Sequence, residues 1–167
     1  THSKFESVSV APGQISVRDI HEIRSSLGLY NAKNFFLFGS PITHSPSPDL
    51  QNHGFSAAGL ESVFKYDIYD TEDILKVVEE VHKPNFGGAN VTIPLKEQII
   101  SCKSILSGIS NAAEKIGAVN TLINAGIELD QDGNQTGRNI IHGDNTDWIG
   151  IATLCQQRLE SISKKAS

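Results

Sequence analysis

The chain has 167 residues and 38% hydrophobic content, enough for one domain with its own core. A net charge of −5 argues against a broad nucleic-acid-binding surface. No apolar run reaches the length of a membrane span, the N-terminus has no signal-peptide pattern, and the two cysteines form no zinc motif and fit a reducing compartment.

Residues 1–8 read as a disordered or truncated end. A helix follows, capped by Ser16 with Asp19 completing a capping-box-like start. Val17, Ile20, Ile23 and Leu27 recur at helical spacing, and Gly28 stops it. After a short linker at 30–34, the apolar run Phe35-Phe36-Leu37-Phe38 predicts a strand over 35–39. The loop Gly39-Ser40-Pro41-Ile42-Thr43-His44-Ser45-Pro46-Ser47-Pro48 leads to a helix over 48–58 on Leu50, Phe55 and Ala58. Phe64, Tyr66 and Ile68 alternate along a strand over 63–69. Asp70-Thr71-Glu72-Asp73 opens a helix carrying Ile74, Leu75, Val77, Val78 and Val81.

A glycine-rich strand is expected over 86–92 and a helix over 94–103, with Pro94 in its first turn, where a missing N–H costs nothing. A short helix over 111–115 and a strand over 119–124 come next. Asp132-Gly133-Asn134 is turn chemistry within a hairpin-like excursion over 125–143. The last helix starts near Thr146, with Asn145 or Thr146 as its cap and Trp148, Ile151, Ala152, Cys155 and Leu159 on one face. Residues 161–167 read as a polar tail. Strands alternating with helices predict an α/β fold, a mostly parallel sheet flanked by helices. Cys102 and Cys155 fall on amphipathic helices and are expected as buried free thiols.

Chemistry concentrates in four motifs. In Asn90-Val91-Thr92-Ile93-Pro94-Leu95-Lys96 a strand end breaks into a helix and projects a lysine from the mouth of the sheet. In Gly143-Asp144-Asn145-Thr146-Asp147-Trp148 a helix start presents a carboxylate. Lys96 and Asp147 at two such edges can hold a hydroxylated substrate and move a proton; a surface lysine and a capping aspartate is the plainer alternative. Prolines that keep residues 45–48 extended would turn Ser45 and Ser47 to one side as donors for a carboxylate, against the alternative of an ordinary Ser-Pro loop or a phosphorylation site. Thr92 can add a third hydroxyl. Asn90 and Asn120, the latter in Gly117-Ala118-Val119-Asn120-Thr121-Leu122, offer donor and acceptor together, as ring hydroxyls require; satisfied turn residues are the alternative. His44 reads as a loop-stabilising histidine, since no nucleophile elbow accompanies it.

These four motifs, in this order, closely resemble the substrate-binding half of shikimate dehydrogenase over residues 34–160. Upstream, Val10-Ala11-Pro12-Gly13-Gln14-Ile15-Ser16 and the helix after it resemble the closing loop and last helix of a type I dehydroquinase barrel; Gln14 is the one residue carried over. That order is similar to the fungal pentafunctional arom family, and a fungal quinate-pathway repressor is similar in the same region. The resemblance implies residues 1–33 as barrel tail and linker, 34–160 as a shikimate-binding domain and 161–167 as a tail.

The resemblance further implies that Ser45, Ser47 and Thr92 bind the carboxylate of shikimate and that Asn120 contacts ring hydroxyls. Asn90 shapes the strand edge. Lys96 and Asp147 are the reacting pair for NADPH-dependent reduction of 3-dehydroshikimate, with Asp144 at a variable motif position ranked below Asp147. A glycine-rich nucleotide turn would follow the last helix, and Gly87-Gly88, inside a strand, does not replace it. The expectation is therefore a cytoplasmic substrate domain cut from a multifunctional chain of aromatic amino-acid biosynthesis. NADP would be held by the parent's Rossmann domain and not by this stretch, and dehydration chemistry would be lost with the rest of the barrel. Its partners would be shikimate or 3-dehydroshikimate and the neighbouring enzyme domains, without nucleic acid or membrane. Two alternatives stay open: a quinate- or shikimate-sensing module of a repressor, and a quinate dehydrogenase.

Overall fold

The computed structural model describes the backbone of residues 14–166 and the side chains of residues 14–162. The end expected to be disordered, residues 1–8, and residues 10–13 of the dehydroquinase-like loop lie outside them. Helix α1 (Val17–Ser26) begins where Ser16 accepts from Asp19 N–H while Asp19 accepts from Ser16 N–H, the expected capping box. Then come β1 (Lys33–Gly39), α2 (Ser47–Ala57), β2 (Phe64–Asp70), α3 (Ile74–Val81), β3 (Phe86–Val91), α4 (Leu95–Ile100) and β4 (Gly108–Ile109). The chain continues through α5 (Asn111–Ile116), β5 (Thr121–Leu129), β6 (Gln135–Asp144) and α6 (Asp147–Ala166).

The six strands form one sheet in the order β2-β1-β3-β5-β6-β4. β1 runs parallel to β2 and β3, and β4 parallel to β6, so the sheet is mostly parallel. The expectation needs one refinement: β5 is antiparallel to both β3 and β6. The reversal is local. Gly117 caps α5 at φ 77°, and the chain passes from there through residues 118–120 into β5. β4, two residues long, has no signature in the sequence.

Alternation along β1 sets the two faces. Phe36 and Phe38 point into the main core with Val77 and Val81 of α3, Val91 of β3, and Leu95 and Ile99 of α4. Leu37 points the other way, to Ile42 and Tyr66 under α2. Asn139, 2% exposed, donates to the carbonyls of Val81 and Lys83 and pins the hairpin to the end of α3.

Two expectations fail at α6. Its apolar residues are exposed, Ile151 at 63% and Leu159 at 66% among them, and Cys155 is exposed with them. Past Asp147 the helix leaves the sheet, and an amphipathic pattern marks an apolar face without supplying anything to cover it. Cys102 is half-buried against the main core. α6 also continues through Ala166, so the expected tail is helical. No helix of the described residues is long and apolar enough to cross a membrane.

Candidate active site

The strands β1 and β3 end side by side, and the two loops leaving them build the site. Thr92 N–H donates to Phe38 O over 2.8 Å, and Ser40 N–H to Ile93 O over 3.0 Å, which stitches the serine loop to the lysine loop. Gly39 permits this approach. A Cβ there would meet Thr92 Cγ2 at 2.5 Å and Ile93 O at 2.8 Å, and its φ of +151° disfavours any L side chain. Asp70, at the end of β2, accepts from Ile42 N–H over 3.2 Å and holds the serine loop from its other side. The hydroxyl of Ser40, first, and the Ile42 amide hold the Asp70 carboxyl below the ordinary aspartate value.

Ser45 and Ser47 do converge, with their hydroxyl oxygens 3.1 Å apart. The reason differs from the extended chain expected. Pro46 has φ −77° and ψ −1°, a helical conformation at the entry to α2, and Ser47 N–H donates to Ser45 Oγ over 3.3 Å. A turn into a helix, not a stretched loop, brings the hydroxyls together. They line a hollow of about 350 Å³ with Leu37, His44, Thr92 and Ile93. His44 engages the neighbouring Thr43 hydroxyl at 3.2 Å, as a loop histidine would.

Thr92 and Ile93 also line a second hollow of about 460 Å³, whose other walls are Pro94, Lys96 and Glu97. Lys96 stands in the first turn of α4, and its carbonyl accepts from Val119 N–H over 2.9 Å. Its ammonium donates to Asp147 Oδ2 over 2.7 Å, with the side chains 32% and 50% exposed. The structure thus unites two residues far apart in sequence.

Asp147 is held there by two asparagines. Asn145, 3% exposed, donates to Ala118 O over 3.0 Å and accepts from Asp147 N–H over 3.1 Å. Asn120, 6% exposed, donates to Asp147 Oδ1 over 2.7 Å and accepts from Thr146 N–H over 3.0 Å. The Lys96 hydrogen bond, first, then that of Asn120, hold the Asp147 carboxyl below the ordinary aspartate value against the opposing effect of partial burial. Asp144 is otherwise engaged: it accepts from the Ser110 hydroxyl and from Asn145 N–H. Asn90 accepts from the Tyr66 hydroxyl over 2.8 Å. Gln14 lies ahead of α1 and lines neither hollow.

Sequence reasoning passed over Asp70 and Ser110. Asp70 reads as a helix opener after a strand, and only the return of the serine loop beside β2 gives it a second task. Ser110 caps α5 by accepting from Ala113 N–H, a legible signal, while its bond to Asp144 across 34 residues is not.

The fold has counterparts in known proteins. The family model described as the shikimate dehydrogenase substrate binding domain matches residues 37–122, over half of the chain. The chain belongs to this family. The pentafunctional AROM polypeptide of Malassezia globosa is 46% identical over 148 residues, covering 88% of this chain and 8% of its own length. That of Pneumocystis carinii is 41% identical, covering 90% of this chain and 9% of its own. The chain thus spans under a tenth of these relatives. Among solved structures, the dehydroquinate dehydratase and shikimate dehydrogenase portion of S. pombe AroM overlays with TM-score 0.71 at 37% identity, over 84% of this chain and 24% of that one. The shikimate 5-dehydrogenase of Thermus thermophilus, solved with NADP(H) and shikimate, overlays at 0.57 with 31% identity, over 75% of this chain and 42% of that one. Membership of this family accounts for the fold and its α/β class.

Proposed function

We propose that the joined hollows bind shikimate and 3-dehydroshikimate, and that Lys96 and Asp147 handle the proton of the interconversion. The observation that carries this reading is the 2.7 Å ammonium–carboxylate pair beside a hollow lined by Ser45, Ser47 and Thr92. Three hydroxyl donors suit a carboxylate. When the ring ketone is reduced, its oxygen gains negative charge, and the Lys96 ammonium supplies the proton; in the reverse direction the amine takes it back. Asp147 holds the lysine in place, and its own oxygens offer acceptors to a ring hydroxyl. Asn120 orients Asp147 and stands next to the ring hydroxyls, while Asn90 shapes the floor. An intact pair favours catalysis over sensing.

Reduction needs a hydride donor, and the described residues do not fit one. Gly87 and Gly88 lie within β3, where a Cβ on Gly87 would meet the Phe35 ring at 2.6 Å, so they leave no cradle for a phosphate. We assign NADP, which the T. thermophilus relative binds, to another part of the parent protein. On this reading the parent is a multifunctional cytoplasmic enzyme, and residues 1–33 are the tail of a dehydroquinase barrel and its linker, as the composition of the S. pombe neighbour suggests.

Titration of the 167-residue chain with shikimate, followed by ligand-observed NMR, tests the binding site. Ser45→Ala with Ser47→Ala should weaken binding by roughly 1–3 kcal/mol, the usual worth of hydrogen bonds to a charged group. A double variant that binds as well as the parent would remove the serines from the site. The same stretch, incubated with shikimate and NADP, should form no reduced cofactor; turnover by a pure sample would overturn the assignment of NADP to another part.

A further inference from the structure

Asn90 of β3 pairs with Leu37 of β1 and Thr121 of β5. Residues paired across strands share a face. Asn90 therefore lies on the face of Leu37, which lines the serine hollow, two residues before Thr92, which lines it too. The Asn90 carbonyl oxygen accepts from the Tyr66 hydroxyl over 2.8 Å, and the amide nitrogen has no hydrogen-bond partner among the described residues.

Tyr66 decides which way that amide turns. It is 3% exposed, and its hydroxyl has no other acceptor among the described residues. Burial pushes its phenol up to about 12, so it remains a donor throughout the physiological range. A buried O–H requires an acceptor, and of the two ends of an amide only the oxygen is one. The flipped amide would leave the phenolic proton unpaired. Tyr66 itself is clamped: Asn52 of α2 donates to its carbonyl over 2.8 Å and accepts from its N–H over 2.9 Å.

We infer that Tyr66 is a positioning residue that fixes the Asn90 amide as a hydrogen-bond donor to the bound ligand. This corner of the site therefore takes an oxygen able to accept, a carboxylate or hydroxyl oxygen. The inference rests on the proposed shikimate site and adds to it an element on β2 outside the four motifs.

The test compares the 167-residue chain with Tyr66→Phe, Asn90→Ala and the double variant, using shikimate as the probe and NMR shifts as the readout. Tyr66→Phe removes one oxygen and keeps the ring in the core. It should weaken binding about tenfold, as should Asn90→Ala, and the double variant should bind no worse than Asn90→Ala alone. A second readout needs no variant at Tyr66: the Asn90 side-chain NH2 resonances of the unaltered chain should move on adding shikimate. A purely structural Tyr66 would lower the unfolding temperature and leave affinity well below that temperature unchanged. Shikimate binding that shifts Ser45 and Lys96 signals but ignores Tyr66→Phe, or leaves the Asn90 NH2 signals still, overturns the role of Tyr66 alone. No shikimate response anywhere in the unaltered chain overturns the site and this role with it.

Discussion

Asn120 and Asp147, 27 residues apart in sequence, are joined by a 2.7 Å hydrogen bond that occupies one carboxylate oxygen while Lys96 takes the other. The aspartate is thus held on both oxygens before any ligand arrives. A group so fixed can orient an ammonium without reorganising during the reaction.

The first prediction concerns the pair in the full-length parent. Lys96→Ala should lower kcat by on the order of 10²–10⁴ with a smaller change in KM, as removal of a general acid does. Asp147→Asn keeps the shape and loses the charge, and should also slow turnover. The double variant should lose far less than the product of the single losses, because the two act as a unit. Steady-state kinetics decide it, and changes confined to KM would make both residues binding groups only.

The second concerns pH. The folded Asp147 carboxyl lies below its ordinary value, chiefly through the Lys96 hydrogen bond. A depressed carboxyl contributes stability that is fully present above the unfolded aspartate value and is lost as pH falls through the lower folded value. Lys96→Ala should therefore move the Asp147 midpoint up in a carboxyl-carbon NMR titration. An unmoved midpoint would mean that the lysine is not what lowers it.

The third separates architecture from chemistry. Asn120→Ala removes a buried amide and leaves Thr146 N–H and Asp147 Oδ1, on two exposed residues, without their partner. Urea unfolding should show a loss of roughly 0.5–1.5 kcal/mol, the usual net worth of an intramolecular hydrogen bond whose partners water can still reach. The Asp147 midpoint should rise as well, since Asn120 helps to lower it.

The fourth tests the seam between the two loops. Gly39→Ala places a methyl 2.5 Å from Thr92 Cγ2 and 2.8 Å from Ile93 O, at a backbone angle that alanine avoids. A loss of roughly 1–3 kcal/mol in thermal or urea unfolding is expected, as for other strained backbone positions. Shikimate binding should weaken too, because Thr92 must shift.

Much of this protein was legible locally. Ser16 with Asp19 marks the start of α1 because a cap is a contact between residues three apart. The apolar run Phe35-Phe36-Leu37-Phe38 marks a strand, and Gly28 marks the end of α1. The candidate site residues Ser45, Ser47, Thr92, Asn90, Asn120, Lys96 and Asp147 were named from motifs that couple a strand end or helix start to a polar side chain, and from the resemblance those motifs carry.

What the sequence determined by itself is therefore the set of elements and the chemical groups at their ends, which depend on neighbours a few residues away. The tertiary structure alone decided which of those ends meet. The antiparallel setting of β5, the clamp of Asn120 and Asn145 on Asp147, and the bond from Tyr66 to Asn90 all join segments whose separation in sequence carries no signal. The exposed face of α6 makes the same point in reverse. Periodicity marks a surface as apolar, and only packing decides whether anything lies against it.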